Sequence, residues 1–97
     1  MQNAYLIHGT STRDDDWFPW LESACAPQIK LDRIYLPHPF APQADEWNDA
    51  VDQQIPAADG LILVAHSLGC ITALRFVARH QIHDARLLLV GAFDQGL

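Results

Sequence analysis

Ser67 stands where a serine can serve as a nucleophile. It lies in the run Leu61 to Cys70, LILVAHSLGC, where an unbroken apolar stretch leads into Ala65-His66-Ser67-Leu68-Gly69 and then into an apolar helical pattern. A small-x-Ser-x-Gly segment between a buried strand and a helix forms a sharp turn that lifts the hydroxyl above the strand ends. The residue at the tip of such a turn must accept a strained backbone. Positions two residues away pass close to it, and Ala65 and Gly69 are both small enough. A helix starting there also aims its dipole at an anion forming beside the serine. A serine acting only as a helix N-cap is the plainer alternative, which the flanking strand and helix patterns disfavour.

A second segment complements the first. Ile7-His8-Gly9-Thr10 follows the first apolar run, and a His-Gly loop at that point can give one backbone N–H to an oxyanion hole. The residue after the nucleophile gives the other, so Thr10 and Leu68 are the candidate amide donors, with His8, Gly9, His66 and Gly69 shaping the turn. The alternative is a plain strand-ending turn with Gly9 at positive φ. A phosphate-cradling loop is excluded, because the segment has one glycine, no lysine and three aspartates close by.

A serine nucleophile needs a base, and no histidine here is well placed. His66 adjoins Ser67, but consecutive residues at a turn point in different directions. His38 falls in the loop after the second strand, on the same rim as Ser67, where it could line a pocket or simply face water. His80 and His83 fall at the far end of the third helix, where cations are favoured. Asp94 follows the fourth strand and has no base to orient. Trp17, Trp20 and Phe40 read as core or pocket wall. Asp14 to Asp16 read as a solvated, helix-capping run rather than a cation site. No metal and no cofactor is implied.

Strands and helices must hold these groups in place. Ala4 to Ile7, Lys30 to Leu36, Leu61 to Ala65 and Arg86 to Phe93 read as strands, the third buried on both faces. Helices are expected from Trp17 to about Cys25, capped by Asp16, with Trp17, Trp20, Leu21 and Ala24 on one face. Others are expected from Ala44 to Ile55 and from Ser67 to about His80. Strict alternation of strand and helix implies a parallel sheet with right-handed crossovers. The fourth strand would present Leu87 to Val90 at an edge, unguarded by Lys or Pro, and self-association through 86–93 is the consequence.

Composition narrows the partners. The 97 residues are 49% hydrophobic and carry a formal charge of -6, with six Lys and Arg spread singly. Nucleic acid and anionic membrane surfaces are therefore poor partners, and no apolar run approaches a membrane span. Two distant cysteines, Cys25 and Cys70, and the lack of a signal-like start point to a cytoplasmic chain.

Four stretches together carry a resemblance: IHGTSTRDDDWFPWLE (7–22), YLPHPFAPQADEW (35–47), LVAHSLGC (63–70) and LLLVGAFDQGL (87–97). In order and approximate spacing the chain resembles the YdeN-like, retinoblastoma-binding-protein-nine-like family of small serine hydrolases. The resemblance implies a three-layer α/β-hydrolase fold without a large lid, with four parallel strands in the order 2-1-3-4 and helices on both faces. It also implies hydrolysis of ester-like or related small acyl substrates by a Ser-Asp-His triad. The nucleophile carries over onto Ser67. The family's acid and base lie in later segments that have no counterpart in residues 1–97. The chain is therefore expected to be a single truncated hydrolase domain with low turnover. A non-catalytic, hydrolase-fold binding module is the alternative. A flavodoxin-like nucleotide-binding domain would share the strand order, but the chain has no glycine-rich phosphate loop.

Overall fold

A computed structural model describes residues 2–10 and 17–91 of the chain. Seven elements alternate along it: β1 (Gln2–Ile7), α1 (Phe18–Cys25), β2 (Ile29–Arg33), α2 (Ala44–Gln54), β3 (Ile62–His66), α3 (Gly69–His80) and β4 (Arg86–Val90). The strands form one parallel sheet in the order β2-β1-β3-β4. The expected architecture and strand order are both observed. Asp14 to Asp16 and Asp94 lie outside the described residues.

Alternation within the central strands builds two cores. Tyr5, Ile7, Leu63 and Ala65 face one side of the sheet, where α2 sends in Trp47 and Val51 and α3 sends in Cys70, Ala73 and Phe76. Ala4, Leu6 and Val64 face the other side, where α1 contributes Phe18. Phe18 and Phe76 are fully buried, and burying a side chain of this kind contributes about 1.5–3 kcal/mol.

Several boundaries and one helix face differ from expectation. The second strand ends its ladder at Arg33, although Ile34 and Leu36 stay buried beyond it. The fourth stops at Val90, before Gly91 at φ 62. The third helix begins at Gly69, leaving Ser67 outside it. On α1 Phe18 is fully buried with Trp17 and Leu21 packed against the same cluster, while Ala24 is exposed and Trp20 is 68% exposed. Position 17 is the helix N-cap and makes no side-chain capping bond.

Candidate active site

β1 and β3 lie side by side, with Ile7 paired to Ala65, so the loops that follow them meet at the carboxyl edge of the sheet. This is the edge at which open α/β sheets bind ligands. Ser67 sits between β3 and α3 with φ 57, a left-handed conformation costly for a residue with a Cβ. Its backbone is held from both directions. The Ser67 amide donates to the Val90 carbonyl at 3.0 Å, and the Ser67 carbonyl accepts from the Cys70 amide at 3.0 Å.

Two glycines let the loops touch. A Cβ on Gly9 would lie 2.3 Å from the His66 carbonyl oxygen and 3.3 Å from the Ser67 Cβ. A Cβ on Gly69 would lie 2.6 Å from the Ile7 carbonyl oxygen. Gly9 also has φ +82, so both space and backbone conformation call for glycine there. Among the described residues, neither the Thr10 nor the Leu68 amide donates to a protein acceptor.

His8 anchors the first loop from beneath. Its ring is 1% exposed. The Leu36 amide donates to its Nε2 at 3.1 Å, so the ring proton belongs on Nδ1, which lies 3.1 Å from the Gly9 carbonyl and donates to it. The imidazole thus ties the Gly9 turn to the chain leaving β2, a role invisible in local sequence.

The other histidines are engaged elsewhere. The His66 ring packs edge-on against Trp17 and Phe18 on the α1 side, with its Nδ1 buried and without a hydrogen-bond partner among the described residues. His38 has φ 48 and an exposed ring, with Nδ1 3.1 Å from a Glu46 carboxylate oxygen. The His80 Nε2 lies 2.9 Å from Asp52, joining α3 to α2 alongside Arg79. His83 uses its backbone to hold Asp59 and Gly60 in the turn before β3. Phe40 is 78% exposed, outside the core. Among the described residues, none donates to or accepts from the Ser67 hydroxyl.

Cavities flank the fold on both sides of the sheet. One, about 450 Å³, lies against β2 and α1 and has no lining residue from either loop. Another, about 330 Å³, is lined by Tyr35, Pro37 and the outer side of α2. A third, about 240 Å³, is lined by Pro42, Ala44, Trp47, Leu68, Ile71, Thr72 and Arg75, and so abuts the residue after Ser67. Leu68, Ile71, Thr72 and Arg75 recur at helical spacing, a stripe legible in the sequence but lacking meaning until α2 is seen opposite it.

The family model described as serine hydrolase matches residues 4–96. The chain belongs to that family. It is 33% identical over 101 residues to the putative hydrolase YdeN of Bacillus subtilis (strain 168), covering 99% of this chain and 53% of that protein. It is 24% identical over 83 residues to the serine hydrolase RBBP9 of Rattus norvegicus, covering 84% of this chain and 44% of that one. The crystal structure of the ydeN gene product from Bacillus subtilis superposes with a TM-score of 0.86, covering 100% of this chain and 55% of that chain. The chain therefore spans about half the length of these relatives. Within the family fold it holds the two loops that meet at Ser67. No helix among the described residues is long and apolar enough to cross a membrane.

Proposed function

We propose that this chain provides the nucleophile and oxyanion half of a serine hydrolase that acts on small ester-like acyl substrates. Ser67 is the nucleophile, and the amides of Thr10 and Leu68 receive the oxyanion. The observation that carries the reading is the left-handed Ser67, φ 57, with Gly9 packed against its Cβ. A backbone strained at a pocket edge is an expense that a helix cap does not require. Family membership supports hydrolysis as the reaction class.

The 97 residues alone are proposed to turn over ester slowly. A serine hydroxyl without a base is a weak nucleophile at neutral pH, and loss of triad partners costs on the order of 10⁴–10⁶ in kcat. The lack of an imidazole bonded to Ser67 among the described residues favours the second reading, a binding module that keeps the pocket without the chemistry. The proposal extends to a cytoplasmic setting, supported by the free thiols Cys25 and Cys70. It also extends to pairing between copies along β4, supported by Leu88, which is 55% exposed at the end of the strand order.

The deciding experiment joins this chain to the carboxyl-terminal segment of its Bacillus subtilis relative and follows p-nitrophenyl acetate hydrolysis. The joined protein should exceed the 97-residue chain by at least about 10³, and Ser67→Ala should return it to the background. Retained activity in Ser67→Ala would overturn the nucleophile assignment. A kcat of about 1–10³ s⁻¹ from the 97 residues alone would overturn the need for further groups.

A further inference from the structure

We propose that the cleft between α2 and α3 is the subsite for an acyl chain that ends in a carboxylate, with Arg75 as its anchor. The inference rests on the hydrolase reading only in saying which end of the ligand reacts. Its basis is the lining of the third cavity. Pro42, Ala44, Trp47, Leu68 and Ile71 give it apolar walls, Thr72 adds a hydroxyl, and Arg75 is its sole charged member. A cation beside an apolar cleft is notable in a chain of net charge -6.

The groove has direction. Leu68, Ile71, Thr72 and Arg75 form one stripe, and seven residues of helix rise about 10 Å from the elbow end to Arg75. Side chains lean toward the N-terminus of their own helix, so the Arg75 stem tilts back toward Leu68. An acyl group entering beside Leu68 would lay its methylenes along Ile71 and the indole of Trp47. That indole is fixed, because its Nε1–H donates to the Pro37 carbonyl at 2.8 Å. A terminal carboxylate would then arrive at the guanidinium, whose planar fork suits two carboxylate oxygens.

Arg75 is available for this role. The described ion pairs engage Arg33 with Glu22 and Arg79 with Asp52, and none engages Arg75. One turn further along α3, Arg79 holds the α2–α3 seam together, so Arg75 is not needed for that purpose. The competing account is that Arg75 merely lays its stem over apolar surface. That account predicts no preference among ligands.

The test is binding to the 97-residue chain, read by ¹H–¹⁵N correlation spectra. Monomethyl adipate and methyl hexanoate share an ester and chain length and differ in the terminal carboxylate. Monomethyl adipate should bind about fivefold or more tighter, moving the amides of Leu68, Ile71 and Thr72 and the indole of Trp47. Arg75→Gln should abolish the preference, Arg75→Lys should restore part of it, and added salt should narrow it. Equal affinity of the two esters, failure of monomethyl adipate to bind, or a preference surviving Arg75→Gln would each overturn the proposal. Ser67→Ala should leave the preference intact, so the subsite can fail while the nucleophile assignment stands, and the reverse.

Discussion

Replacing Gly9 by Ala tests whether the two loops meet as closely as the site requires, and Gly60 provides its control. Both glycines have φ near +80: +82 at Gly9 and +78 at Gly60. An alanine forced into the left-handed region costs about 1–2 kcal/mol, offset by about 0.4–1 kcal/mol from the stiffer unfolded chain. That net loss of about 1 kcal/mol should be common to both sites. The surroundings differ. At Gly60 an added Cβ meets nothing within 4 Å, whereas at Gly9 it meets the His66 carbonyl oxygen at 2.3 Å. Neither backbone can swing aside as a side chain would, so the loops must part by about 0.7 Å in close-packed surroundings. Overpacking of this kind costs about 1–3 kcal/mol. Gly9→Ala should therefore lose about 1–3 kcal/mol more than Gly60→Ala. The assay is urea unfolding of both variants, compared by midpoint at constant slope. Agreement of the two variants within about 0.5 kcal/mol would refute the close approach of the oxyanion loop to the elbow, because the clash by itself should cost at least about 1 kcal/mol.

Other outcomes follow from single features. Ser67→Gly should stabilise the chain by about 0.5–1 kcal/mol in thermal unfolding, because relief of the left-handed strain exceeds the extra chain entropy of glycine; Ser67→Ala should not. Burial pushes the Cys70 thiol above its ordinary pKa, outweighing its contacts with backbone carbonyls. Iodoacetamide should therefore modify half-buried Cys25 first and reach Cys70 only on unfolding, as read by mass spectrometry. Burial raises the Asp52 carboxyl, but hydrogen bonds from His80 and Arg79 and their charges outweigh it and leave the pKa below its ordinary value. A depressed folded value contributes stability above the unfolded pKa and loses it as pH falls through the folded one, so Asp52→Asn should flatten the acid limb of a stability–pH curve. At this exposure the effect should stay below about 1 kcal/mol and shrink with salt. Leu88→Lys should reduce any concentration-dependent light scattering by the chain; scattering unchanged by the lysine would place self-association elsewhere.

Periodicity alone was enough to identify the seven elements and their parallel arrangement, because buried strands and amphipathic helices write their periods directly into neighbouring residues. The Ser67 turn was legible for the same reason: Ala65 and Gly69 show small residues where the backbone must fold tightly. Local pattern could not say which apolar stripe of α1 turns inward. Trp17, Trp20, Leu21 and Ala24 form one helical stripe, and Phe18, Leu21 and Cys25 form another. Packing against Leu6, Leu31 and Val64 selected Phe18 and left Trp20 in water. The role of His8 was equally hidden, because its Nε2 is satisfied by Leu36, which is remote in sequence and comes close only when β2 pairs with β1. The Arg75 cleft exists only where α2 and α3 lie together over one face of the sheet. Spacing along one segment encodes its own conformation. Contacts between segments depend on which faces find each other, and that selection belongs to the folded chain.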